Sequence, residues 1–364
     1  MGVAYAAQDL RSGKKVIIKV PQLTGTADMH LDAYKRTMGR FAREARMLRA
    51  LRHPNIPEVV GEGEYESVPY IAMTYIQGHS LTHYRENNVP RQAEFAVIGT
   101  SVAKTLAACH SKKVLHRDLK PDNLMIGENG VVYVIDFGIA LPLDADATRY
   151  TNNIVGTDAY TAPERFRDDK QVEQSDLYSL GCVFYYLLTA RPPFVEAGGK
   201  SWRQQHLEDV PVPPSRLGSR VPRDVEDLTL GLLAKNAEER PAINQVVATL
   251  APYLPAKGAP EPNPVLEPDV TIPYRTTGSV RPPEAPSRSR RTTALPFTAR
   301  RRHDFVTDAD ITAAVQLATT QHDNGDTAAA VQTLTDLQRR AMETFGVRSP
   351  RLALIESELA RLAP

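Results

Sequence analysis

His116-Arg117-Asp118-Leu119-Lys120-Pro121-Asp122-Asn123, with Asp136-Phe137-Gly138 opening thirteen residues after Asn123, decides how this 364-residue chain is read. The first run holds a carboxylate, a cation two residues on and an amide oxygen, and the second adds another carboxylate. Singly these residues are bland, since an Asp in a loop is usually a turn former and an Asn a cap. Eight fixed positions followed at a set distance by a second motif form a constellation, and that reading no longer serves for the group.

The rest of the chain sets bounds. A formal net charge of +1 provides no general field that would draw the protein to nucleic acid, and no nucleic-acid partner is expected. Cys109 and Cys182 sit in apolar, helix-like contexts, so reduced buried thiols and a cytoplasmic location are expected. No run of about 18 apolar residues and no basic-then-apolar leader is present, which predicts neither a membrane span nor a signal peptide.

Residues 1–77 read as short strands around one helix. Val16-Ile17-Ile18-Lys19-Val20 and Tyr70-Ile71-Ala72-Met73-Thr74-Tyr75-Ile76 are strand-like, and Phe41, Ala45, Leu48 and Leu51 recur at helical spacing with Glu44 beside the stripe. From residue 78 to 254 the pattern is mostly helical. Phe95, Ile98, Val102 and Leu106 mark one helix, and Leu177, Leu180, Val183, Phe184 and Leu187 mark another that should be buried on nearly all sides. Residues 255–303 are rich in Pro, Ser and Thr, with Arg288, Arg290, Arg291, Arg300, Arg301 and Arg302 late in the run. Such a composition predicts a disordered linker that decouples the tail; the basic cluster is a solvated tether or a contact for an anionic partner. In 304–364 helical periodicity returns through Ile311, Val315, Ala318, Ala330, Leu334, Leu337, Ala341, Leu352, Ile355, Leu359 and Leu362.

The two motifs resemble the catalytic and metal-binding loops of protein Ser/Thr kinases of the bacterial eukaryotic-type group, and the resemblance extends over residues 1–254. It implies an α+β, two-lobed kinase fold: an N-lobe sheet with one helix (1–77), a mostly helical C-lobe (78–254) and a C-terminal helical extension. It also implies transfer of a phosphoryl group from ATP with Mg²⁺ to Ser or Thr hydroxyls of protein substrates. In that chemistry the protein does little covalent work and must place a carboxylate at the attacking hydroxyl and oxygen ligands on the metals. By resemblance Asp118 takes the first role, Lys120 neutralises developing phosphate charge, and Asn123 and Asp136 hold the metal. Lys19, held by Glu44, positions the phosphates. Adenine is expected between the lobes, against backbone at Thr74 and Ile76, with Met73 behind it and Met125 and Val3 on its faces. Phe137 is the packing residue that separates active from inactive states, and Gly138 permits the backbone turn. Thr151, and after it Thr148, are the phosphosite candidates of an activation segment read by Arg117. Thr157, the pair Glu164 and Arg240, and Asp176 support the site structurally. The tail resembles a tetratricopeptide-type fragment, of fewer repeats than the three an independent solenoid usually needs, which leaves a protein partner or self-association through 304–364 open.

The pattern breaks in three places. The phosphate-covering Gly-x-Gly-x-x-Gly loop is matched only at its third glycine, Gly2, so the N-lobe lacks its first strand. Weakened ATP binding is expected, and a start assigned within a longer reading frame is the favoured explanation. Ile17 stands where the family usually has alanine, and the interval from Lys19 to Glu44 implies an enlarged loop around residues 24–34. The missing glycines keep a different class in view, a pseudokinase scaffold that binds partners without transferring phosphate.

Overall fold

The computed structural model describes residues 2–21, 39, 41–42, 45–65, 68–137, 158–167, 169, 171–195, 199–276, 308–323, 326–345, 355, 357–359 and 361. They fall into two compact units, one drawn from 1–2 and 20–294 and the other from 3–19 and 295–364. The fold is α+β, with strands first and helices after, as expected.

Strands β1 (Gly2–Gln8) and β2 (Lys15–Pro21) run side by side. β2 forms because Val16, Ile17 and Ile18 are β-branched and suit a half-buried pleated surface; Val16, Ile18, Lys19 and Pro21 are its buried residues. Helix α1 covers 45–50, where Ala45 and Leu48 continue the buried stripe begun at Phe41 and ended at Leu51. β3 (Val59–Tyr65) and β4 (Val68–Thr74) pair antiparallel, from Tyr65 opposite Val68 to Val59 opposite Met73. A second, three-stranded antiparallel sheet joins β5 (Gly78–Ser80), β6 (Leu124–Gly127) and β7 (Val132–Val134), with β6 in the middle.

Helix α2 (Leu81–Asn87) starts where the Ser80 hydroxyl accepts from the His83 N–H at 3.2 Å, a side-chain cap. Helices α3 (Gln92–His110) and α5 (Glu173–Thr189) are buried almost all round, and Phe95 meets Phe184 edge to face at 5.0 Å between ring centres. A short α4 (Pro163–Phe166) precedes α5. Around these lie α6 (Trp202–Glu208), α7 (Arg223–Leu232) and α8 (Ile243–Leu250), the last seating Val246 and Leu250 in the shared core.

The expected linker differs from the structure in its first part. Through Thr276 the chain is packed and ends in a helical turn, α9 (Ile272–Arg275), and Val270 is fully buried in the core that holds α2 and α3. A few apolar side chains, Leu266, Val270 and Tyr274, anchor a segment whose average composition reads as tether. The arginine cluster lies outside the described residues. In the second unit α10 (Asp308–Asp323) and α11 (Thr327–Phe345) pack through Ile311, Ala318, Ala330, Leu334 and Leu337, joined by Ile355. The Asp326 carboxylate caps α11 by accepting from the Ala329 N–H at 3.0 Å. By contacts the tail is grouped in one unit with residues 3–19.

One buried polar cluster fixes α6. His206 is fully buried, hydrogen-bonded through Nδ1 to the Tyr178 hydroxyl at 2.8 Å and set edge-on to Phe194. Lys235 Nζ donates to the carbonyls of Gln205 at 3.1 Å and His206 at 2.7 Å, satisfying the end of the helix. Burial, and then the Lys235 charge, push the His206 imidazole down to about 3 from an ordinary 6.5. The unfolded chain takes up a proton below pH 6.5 that the folded chain refuses, so stability falls as pH drops from 6.5 toward 3. The slope from this group is at most about 1.4 kcal/mol per pH unit. Urea unfolding between pH 7 and 4 is expected to show an acid limb that is shallower by about one proton in His206→Gln.

Candidate active site

The loop between α3 and β6 carries the motif residues, and its shape is imposed from below. Asp176, in the first turn of α5 and 2% exposed, accepts the N–H of His116 through Oδ2 at 2.8 Å and that of Arg117 through Oδ1 at 2.9 Å. His110 Nε2, at the end of α3, reaches the same Oδ2 at 2.8 Å. Held this way, Arg117 adopts φ +66°, a left-handed conformation that a side-chain-bearing residue keeps only when its surroundings enforce it. Arg165 Nη1 donates to the Arg117 carbonyl at 3.0 Å and secures the strained turn from the side of α4.

The next residues converge. Lys120 Nζ stands 3.1 Å from Asp118 Oδ2, and the Asn123 side-chain amide donates to Asp118 Oδ2 at 3.0 Å and to its backbone carbonyl at 2.7 Å. Asp118 and Asn123 are both largely buried. With its nitrogen used twice, the remaining ligand atom of Asn123 is its amide oxygen. The Ile135 N–H donates to the Asn123 carbonyl at 2.9 Å, which sets Asp136 one residue beyond the Asn123 backbone. Asp136 has φ +53° and so turns the chain out of β7. His116 is fully buried, lies tilted against Phe137 at 4.7 Å between ring centres, and lies 3.1 Å through Nε2 from the Ile135 carbonyl. Burial holds its imidazole below the ordinary range, against the pull of Asp176 and Asp118.

Met73 and Thr74 end β4, and the Thr74 N–H is taken by the Glu58 carbonyl at 2.9 Å, which leaves the Thr74 carbonyl as the polar group of that residue for a ligand. Ile76 is buried in a cluster with Tyr133 against which Met125 packs. Gly2 and Val3 open β1, while Ile17 and a buried Lys19 lie on β2. Glu44, Gly138, Thr148, Thr151, Thr157 and the loop around residues 24–34 lie outside the described residues. Among the described residues no group of three or more His, Cys, Asp or Glu could hold a metal ion. Asn123 and Asp136 provide hard oxygen donors of the kind Mg²⁺ accepts alongside phosphate oxygens.

Glu164 and Arg240 form a bidentate pair at 2.7 and 2.8 Å. Burial raises the Glu164 carboxyl, but hydrogen bonds from Arg240 and Ser175 outweigh it and hold it below its ordinary value. Arg240 also donates to the carbonyls of Ala234 and Gln174 and lies over the Tyr178 ring.

Compared with known protein families, residues 1–251 match the protein kinase domain. This chain belongs to the protein kinase family. It is similar to serine/threonine-protein kinase PknB of Mycobacterium leprae, with 37% identity over 66% of this chain and 39% of the relative. It is also similar to the probable serine/threonine-protein kinase PknB of Bifidobacterium longum, at 34% over 66% of this chain and 36% of the relative. Serine/threonine-protein kinase PrkC of Bacillus subtilis is 33% identical over 66% of this chain and 36% of the relative. The chain thus spans under two fifths of the length of these relatives. No described helix is long and apolar enough to cross a membrane.

Sequence reasoning missed several supports of the kinase site. His110 closes the Asp176 cage and Ser175 Oγ donates to Glu164 at 2.6 Å, yet a His ending a helix and a Ser in a first turn carry no distinguishing signal. Asn55, whose amide donates to the Val132 carbonyl at 2.7 Å while its own carbonyl accepts from the Val134 N–H at 2.8 Å, ties the stretch after α1 to β7. Its signal is the Pro-Asn pair at 54–55, a turn sequence ahead of a strand.

Removing one partner of a buried, hydrogen-bonded ion pair strands the other. Arg240→Ala is expected to lower unfolding stability by about 3–5 kcal/mol in urea titration. The double replacement Glu164→Leu with Arg240→Leu is expected to lose less than Arg240→Ala does.

Proposed function

We propose that this chain is a protein serine/threonine kinase that transfers the γ-phosphate of ATP to Ser or Thr hydroxyls of protein substrates. The observation that carries the reading is the convergence of Lys120 and Asn123 on Asp118, in a loop whose backbone is tied to buried Asp176. Asp118 accepts the hydrogen bond of the substrate hydroxyl and orients it for in-line attack. Lys120, close enough to bond Asp118 now, moves to the phosphate oxygens as charge develops there. Lysine at this position is the Ser/Thr pattern of the family. Asn123 and Asp136 hold Mg²⁺, which screens phosphate charge when bound.

Met73, Ile76 and Met125 provide the apolar surroundings of the adenine, and the Thr74 carbonyl accepts from its amino group. By resemblance to the family, Gly2, Val3, Ile17 and Lys19 are assigned to nucleotide binding, with Glu44 as the partner of Lys19. Phe137 packed at a tilt against His116 supports an arrangement in which Asp136 faces the phosphates. Arg117 is assigned as reader of a phosphate on Thr151, with Thr148 as the second acceptor, and Thr157 as a link to Asp118.

The paired α10 and α11 support a tetratricopeptide-type element that engages a protein partner or a second copy. Cys109 and Cys182, free and buried, support a cytoplasmic location. Catalytic-domain residues 1–254 and a tail from 304 remain the proposed division.

The test is phosphate transfer from ATP and Mg²⁺ to a generic Ser/Thr peptide, with mass spectrometry of the protein expressed without another kinase. Asp118→Asn is expected to lower transfer by about 10²–10⁴-fold and to remove phosphate from Thr151. Nucleotide binding without transfer, in a chain already phosphorylated on its activation segment, would replace the kinase reading with a scaffold.

A further inference from the structure

The packed segment after α8 has a shape and a seat of its own. The Gly258 N–H donates to the Arg275 carbonyl at 2.8 Å, closing residues 258–275 into a loop. Its near side is clasped by Arg91, at the start of α3, which donates to the carbonyls of Asn263 and Pro264, both at 2.9 Å, while its Nε donates to Glu94 at 3.1 Å. The Asn88 amide adds a bond to the Glu267 carbonyl at 3.3 Å. Its far side is internally braced, since Asp269 accepts from the Thr271 N–H at 2.8 Å and from the Thr271 hydroxyl and Arg275. Between clasp and brace, Val270 is fully buried.

The brace meets the tip of the β6–β7 hairpin. Gly130 turns there with φ +76°, and a Cβ on it would stand 2.2 Å from the Asp269 carbonyl oxygen and 3.3 Å from Pro273 Cδ, so the two backbones touch. That hairpin bears Asn123 just before its first strand, Met125 within it and Asp136 just after its second. Residues that end outside the family match at 251 thus hold the turn between the metal and adenine residues.

We infer that residues 258–275 are a strap that positions the β6–β7 hairpin and through it the nucleotide-facing residues Met125, Asn123 and Asp136. The segment is a positioning element of the catalytic unit, and the nucleotide part of this role rests on the kinase reading above. When the strap leaves, the Gly130 turn loses its backing, while the strands of the hairpin keep β5, the bonds from Asn55 and their packing in the core.

Hydrogen exchange by mass spectrometry on the full chain reads the strap and the hairpin separately. Val270→Asp puts a charge in the core and is expected to speed exchange about tenfold or more in 258–275 and in 124–134, with α7 at the parent rate. Arg91→Lys keeps a cation beside Glu94 but lacks the planar fork that serves two carbonyls and a carboxylate, and about threefold faster exchange is expected in both segments. If Val270→Asp also loosens α7, the protein has failed as a whole and Arg91→Lys decides. A strap that exchanges faster while 124–134 keeps the parent rate overturns the inference, as does a parent strap with no protection. The apparent KM for ATP is expected to rise about threefold or more in Arg91→Lys, with kcat changed by less. A parent chain that neither binds nor uses ATP removes the kinase reading, and the exchange result still decides the strap.

Discussion

The buried Asp176 carboxyl group is the interaction on which the site depends. A carboxylate 2% exposed is costly unless donors replace the water it gives up, and here two backbone N–H groups and a histidine ring do so. Its position in the first turn of α5 adds the favourable end of the helix dipole. Because α5 is buried almost all round, Asp176 cannot shift without repacking the core. The loop follows the helix: Arg117 is held in a left-handed turn, Asp118 comes next, and His116 is pressed onto Phe137. One core residue therefore sets the geometry of groups from two separate motifs.

A second buried contact works the same way at the preceding residue of the same helix. Ser175 and Arg240 hold Glu164, and Arg240 spans Gln174, Ala234 and Lys235, so α4 is bound to α5 and to the stretch after α7. Lys235 carries the connection on to α6 and His206. These groups are charged or polar and bonded largely to backbone, and such networks stiffen the elements they join. The region next to the candidate substrate site is thus braced by polar bonds as well as by apolar packing.

Much of this could be read from the chain. The motifs at 116–123 and 136–138 announce themselves because the kinase resemblance fixes their residue types and spacing. The apolar run Leu177 to Leu187 foretold a helix buried on all sides, and resemblance placed Asp176 under the loop and paired Glu164 with Arg240. Other parts were hidden for physical reasons. His110 and Ser175 act through geometry that two ordinary residues acquire only when distant helices meet. In the strap, prolines and polar residues dominate the average, whereas one valine, one arginine from α3 and a handful of carbonyls decide that it packs. Composition is a poor guide where a few contacts with distant partners offset the entropy of ordering a loop. The grouping of the tail with residues 3–19 was equally invisible, since periodicity shows only that a helix has an apolar face.

The most direct measurement is the exchange rate of the His116 and Arg117 amide hydrogens in Asp176→Asn, compared with the parent by NMR. An asparagine in the same place turns an NH2 toward one of the two N–H groups, and that N–H then faces a donor and loses its partner. The account predicts that one or both amides exchange about tenfold faster or more, with α7 amides unchanged. Parent-like protection of both amides in a folded Asp176→Asn protein would contradict it, and the loop would owe its shape to something other than the buried carboxylate.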